Sequence, residues 1–154
     1  MKRSYFKEEK ERDFIRAYEE EMKDLGDMAA FVPRENLIMK TLYSGKGRYY
    51  ITFEEAVRNV YKIINHMPVK CKNHCKIEMY EEMARKVVEY MQRHPSADYR
   101  SALYRVLAES HASRFFFGMQ TAKLILYQHY RRQRAVARAQ NKRLATKEGM
   151  NIVD

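Results

Sequence analysis

Four side chains able to ligate a metal stand within ten residues of one another in the segment HMPVKCKNHC: His66, Cys71, His74 and Cys75. Thiolate sulfur and imidazole nitrogen are the donors that zinc takes. Structural zinc sites, however, draw ligand pairs from two separate knuckles, or from a knuckle and a helix, and four ligands on one short segment would have to wrap tightly around a single ion. Lys70, Lys72 and Lys76 are interleaved with them and oppose a dication. The segment therefore reads as a solvated linker carrying two reduced thiols, with zinc on His66, Cys71, His74 and Cys75 as the alternative; no metal or other cofactor is expected. The usual catalytic signatures are missing: there is no P-loop, no G-x-G-x-x-G, no nucleophile elbow and no H-E-x-x-H. YSGKGRYY has two glycines and a lysine, but not the spacing of a phosphate cradle, and no strand precedes it. His111 and His129 flank a later loop without a nucleophile or an orienting acid beside them. Glu19, Glu20, Glu21, Glu81 and Glu82 lie among lysines and arginines, as on a solvated helix face. These residues point to a protein that acts by binding and is not an enzyme.

The charge says what it would bind. The formal net charge is +10, and it is concentrated at one end. Between Ser110 and Lys147 stand nine of the 30 basic residues and none of the 20 acidic ones. Segregation of this kind makes a one-sided field that favours a polyanion. On a helix, Arg131, Arg134, Arg138 and Lys142 fall on one stripe with Arg132 and Arg143 on its flank, and Ala135, Ala137 and Ala139 keep the backbone helical. The expected partner is nucleic acid, DNA or RNA, held by phosphate contacts from these six residues, with Arg114 and Lys123 as secondary contacts. An acidic protein surface is the alternative partner, and a solvated tail that aids solubility is the plainest reading of all. A membrane is not expected, because the opposite face has alanines and Val136 but no cluster of large apolar residues to insert.

The elements that position these residues are helical. The chain has 154 residues, 45% of them hydrophobic, with only five glycines and three prolines, which suits one all-α domain that needs neither disulfides nor metal to fold. Two cysteines are too few for a secreted disulfide framework, MKRSYFKEEKERDF lacks the apolar core of a signal peptide, and no apolar run approaches a membrane span. A cytoplasmic setting is expected. Apolar spacing predicts helices near 6–25, 35–43, 53–66, 76–93, 98–109 and 119–144. Thr52 and Glu55 form a capping box before the third, and Gly118 stands at the matching point before the sixth.

An internal repeat organises them. With Arg48 laid over Arg114, RYYITFEEAVRNVYK overlies RFFFGMQTAKLILYQ, and the same offset relates Arg34, Leu37 and Ser44 to Arg100, Leu103 and Ser110. The apolar positions of the third helix (Phe53, Ala56, Val57, Val60, Tyr61, Ile64) keep phase with Met119, Ala122, Leu126, Tyr127 and Tyr130 of the sixth. The expectation is a single domain over 1–130 built from two related three-helix units, about 10–66 and 76–132, joined by HMPVKCKNHC, and a basic extension over 131–154. In each arginine-aromatic loop the rings either staple the entry of the following helix to the core, or Phe115, Phe116 and Phe117 present faces to nucleic-acid bases with Arg114 on a phosphate.

FKEEKERDFIRAY near the N-terminus, together with S-x-x-x-R-aromatic-aromatic loops at Ser44 to Tyr50 and Ser110 to Phe116, resembles a group of small helical proteins of bacterial mobile elements and prophages. The similarity covers about residues 5–130. It implies a mobile-element or virion-associated setting and supplies no catalytic residues, and the basic tail after Arg131 lies outside it.

Overall fold

A computed structural model describes residues 6–109 and 111–153, with side chains as far as Lys147; Ser110 of the second S-x-x-x-R loop and the extreme tail of the basic extension lie outside the described side chains. The chain forms α1 (Lys7–Leu25), a 3₁₀ helix (Gly26–Phe31), α2 (Arg34–Leu42), α3 (Phe53–Ile64), α4 (His74–Arg93), α5 (Tyr99–Glu109) and α6 (Met119–Val153), with no strand among the described residues. Local chemistry sets the starts. The Glu55 N–H donates to Thr52 Oγ1 at 3.2 Å, Asn73 Oδ1 accepts from the N–H groups of Cys75 and Lys76, and Asp98 Oδ1 accepts from the Ser101 N–H at 2.8 Å, each satisfying a first-turn donor that has no partner inside the helix. Gly26 ends α1 with φ at +57°, a conformation that costs a residue with a Cβ. The 3₁₀ helix was not among the sequence expectations, and α6 runs nine residues past the expected end at 144.

The buried apolar residues form two clusters, and neither is made from one half of the expected repeat. One joins Phe14, Ala17 and Tyr18 of α1 and Leu37, Ile38 and Leu42 of α2 to Ala122, Ile125 and Leu126 of α6. The other joins Ala56 and Val60 of α3 to Met79, Tyr80, Met83 and Val87 of α4 and Ala102, Leu103 and Val106 of α5. The helix pairings agree: α1, α2 and α6 pack mutually, as do α3, α4 and α5. The physical unit is thus the contiguous stretch α3–α5, set between α2 and α6 of a discontinuous partner. HMPVKCKNHC, expected to join the two halves, instead closes the α3–α4 hairpin inside one cluster.

Two segments cross between the clusters, 43–52 and 111–118, and they lie against each other. The Ala112 N–H donates to the Gly47 carbonyl at 3.2 Å, and the Phe115 N–H to the Leu42 carbonyl at 2.8 Å. Successive side chains of these segments go to opposite clusters, as side chains do along an extended chain. Tyr49 and Ile51 enter the α3–α5 cluster while Tyr50 packs on the other; Phe115 and Phe117 enter the α1–α2–α6 cluster while Phe116 packs on α3–α5. Tyr49 stacks on Phe116 and Tyr50 on Phe115, with centroids 6.3 and 6.4 Å apart. The two tyrosine hydroxyls are anchored as well, Tyr49 donating to Glu82 Oε2 at 2.6 Å and Tyr50 to Asp13 Oδ2 at 2.7 Å. The aromatic loops are the seam of the molecule.

Candidate nucleic-acid interface

α6 has two parts with different surroundings. Its first three turns are held by Ala122, Ile125 and Leu126 against α1 and α2. From Arg131 to Lys147 every residue is exposed, so at 1.5 Å per residue the helix projects about 25 Å beyond the packed region over that stretch. Arg131, Arg134, Arg138 and Lys142 span about 16 Å along it, close to the axial length of five phosphates on one strand of a duplex at 3.4 Å each.

Among the described residues, none of the six arm residues Arg131, Arg132, Arg134, Arg138, Lys142 and Arg143 forms an ion pair. Several other cations of the chain are neutralised within it: Lys46 lies 2.8 Å from Glu20 and Arg48 2.6 Å from Glu9. Lys123, expected as a secondary phosphate contact, is held by Glu35 at 2.6 Å. Arg114 is committed further still. Its Nε and Nη2 donate to the Phe115 and Phe117 carbonyls at 3.0 and 2.9 Å, and its Nη1 donates to the Tyr43 hydroxyl at 2.9 Å. The guanidinium also lies over the Tyr43 ring, 4.7 Å from its centroid, and only 13% of the side chain is exposed. Arg114 therefore fastens the seam, and the structure puts neither it nor Lys123 on the arm.

The ring positions divide in the same way. Phe115 is fully buried and Phe117 nearly so, each edge-on to Phe14, which leaves no face of either for a base. Tyr61 and Tyr127, expected on the apolar stripes of their helices, are exposed at 52% and 54%. Tyr127 stands one turn before Arg131 and belongs with the arm's surroundings, which the stripe pattern could not show because a tyrosine serves a core or a wet surface equally well. Cys71 and Cys75 are free thiols, half-buried, and among the described residues no three His, Cys, Asp or Glu side chains are grouped as a metal ion would require. His129 and His111 do not pair; His129 Nε2 faces Glu19 at 3.7 Å, while the His111 carbonyl accepts from Lys86 Nζ. Among the described residues no helix is long and apolar enough to cross a membrane. No protein-family model, curated protein or solved structure matches the chain.

Proposed function

We propose that this protein is a non-enzymatic nucleic-acid-binding accessory protein that grips the phosphate backbone with the exposed arm of α6, in the mobile-element or phage setting its sequence resembles. One observation carries the reading: six cations without ion-pair partners among the described residues stand on a projecting helix, while Lys46, Arg48, Arg114 and Lys123 are paired within the fold. A helix with no packed face is held by little beyond its own propensity, and a polyanion laid along it would supply the missing contacts. Replacing Arg131, Arg134, Arg138 and Lys142 together by alanine should weaken binding to unrelated sequences alike and lower the slope of log K against log salt by about 3, since each lost phosphate contact removes roughly 0.7 to 0.9. Wild-type affinity and slope in that variant would remove the reading.

An acidic protein surface is the second reading, favoured by the exposure of Val136 and Leu144, which lie opposite the basic stripe and would add apolar contacts to a protein partner. Such a complex would weaken on Val136→Ser and Leu144→Ser substitution, which phosphate binding would ignore.

We also read the six helices as two copies of one three-helix unit that have exchanged their third helices. In support, buried residues coincide at the repeat offset in Phe14 and Tyr80, Leu37 and Leu103, Ala56 and Ala122, and Val60 and Leu126. The two stacked pairs of the seam are also interchanged by that offset. Failure of α1, α2 and α6 to superpose on α4, α5 and α3 in an experimental structure would overturn it.

A further inference from the structure

Where the arm leaves the packed part of the molecule there is an open cavity of about 280 Å3, just under the usual size range of sites for whole small-molecule ligands. Its walls are aromatic and cationic together. Tyr18 and Leu126, both buried, contribute apolar surface from α1 and α6, Met22 closes one side, Tyr127 and Tyr130 add rings from α6, and Arg34 and Arg134 reach it from α2 and the arm. Among the described residues neither arginine has an ion-pair or hydrogen-bond partner. Arg34 is also the first residue of α2, which has no side-chain cap, so the positive end of that helix adds to its field. Glu19, the carboxylate that acts on Tyr130, is turned to His129 at 3.7 Å.

A second cavity on the molecule shows what is particular about this one. It is lined by Tyr90, Tyr104, Arg100 and Arg105, a similar composition, but Arg100 is paired with Glu54 and Arg105 with Glu109. Of these two cavities, the one at the root of the arm alone combines exposed ring surface with cations that have no ion-pair partner among the described residues. A duplex keeps its bases stacked inside and offers such a cavity nothing. An unpaired base offers a π-face for Tyr127 and an adjoining phosphate for each arginine, which is how single strands are held elsewhere in general: a basic track with aromatic platforms along it.

We infer that this cavity receives one unstacked base of a single-stranded nucleic acid, with the flanking phosphates on Arg34 and Arg134 and the rest of the strand running out along the arm. The inference rests on the reading of the arm as a phosphate-binding helix and narrows its partner to single strands. Tyr127 is half exposed and its replacement leaves the core intact, so the full-length variants Tyr127→Ala and Tyr127→Phe serve as probes. Anisotropy titrations would use a labelled 16-nucleotide oligo(dT), the matching oligo(rU) and a blunt 16-base-pair duplex. Tyr127→Ala should weaken both single strands by about 5- to 150-fold, the range for loss of one base–aromatic stack, and leave the duplex unchanged, while Tyr127→Phe keeps wild-type affinity. A difference between oligo(rU) and oligo(dT) that vanishes in Tyr127→Ala would assign the sugar preference to the same cavity. Equal loss on duplex and single strands, or no loss on either, overturns the base site while leaving the arm reading in place. If the wild-type protein binds none of the three probes, the arm reading fails and the base site with it.

Discussion

Phe115 has no room to give. Its ring is fully buried, edge-on to Phe14 at 5.3 Å and stacked on Tyr50, and a Cβ added at Gly47 would stand 3.0 Å from two of its carbons. Gly47→Ala should therefore destabilise the fold by about 1–3 kcal/mol through overpacking. Phe115→Ala should cost about 3–5 kcal/mol through the cavity it leaves. Both are read from urea denaturation midpoints, and an unchanged Gly47→Ala midpoint would mean that the ring can shift after all. Glu82 adds a pH-dependent component. Burial alone would raise its carboxyl pKa, but hydrogen bonds from Ser113 and Tyr49, with the charge of Lys86, outweigh it and hold the group below its ordinary value. A carboxyl whose folded pKa is depressed stabilises the fold above the unfolded value and loses that contribution as pH falls through the folded one. Acidification below about pH 4.5 should thus destabilise the wild-type protein more steeply than Glu82→Gln, compared by denaturation midpoints at pH 7 and pH 3. The arginine-aromatic motif was legible in the sequence, including its structural use. The partners of Arg114 were not, because the carbonyls of Phe115 and Phe117 and the Tyr43 hydroxyl converge only once the second segment has crossed the first.

At the scale of elements, the capping box made one border readable, with Thr52 starting α3 where it precedes an apolar stripe, whereas Asn73, inside the segment read as a linker, caps α4 at His74, ahead of the expected start at 76. The 3₁₀ helix from Gly26 to Phe31 was hidden because GDMAAF has no period to read and buries no residue. In α6, a single hydrogen-bonded helix contains a packed part and a bare one, and the sequence marked the change by the sudden end of apolar spacing after Tyr130. Removing residues 131–154 should accordingly leave the unfolding free energy of the remainder within about 0.5 kcal/mol, the range for changes away from packed features. A larger loss on truncation would mean that the arm folds back in solution. Amide exchange should separate the two parts of α6, with the amides of Ala122 to Leu126 protected and those beyond Arg131 fast, since an unpacked helix opens locally at low free energy.

For the whole molecule, the sequence identified the helices but paired them by order along the chain, and the structure pairs α6 with α1 and α2. The stretches of ten and nine residues before α3 and α6 are long enough to turn back or to cross over, and apolar phase is identical in both arrangements; only the alternation of side chains between two clusters distinguishes them. A chain cleaved between Met67 and Lys72 should test this arrangement. The N-terminal fragment would hold α1 and α2 without α6, and the C-terminal fragment α4 and α5 without α3. The cleaved protein should stay associated through gel filtration, and each fragment isolated in denaturant should show little helix until the other is added back, as followed by circular dichroism. Fragments that refold independently would contradict the shared cores. The same crossing fixes a timetable for synthesis. As the chain leaves the ribosome, α3, α4 and α5 have every buried member of their cluster once Ala112 has emerged, whereas Phe14, Leu37 and Ile38 remain open to water until Leu126 follows. The first helices made are the last to be covered, and nascent chains stalled before Met119 should be where a chaperone finds this protein.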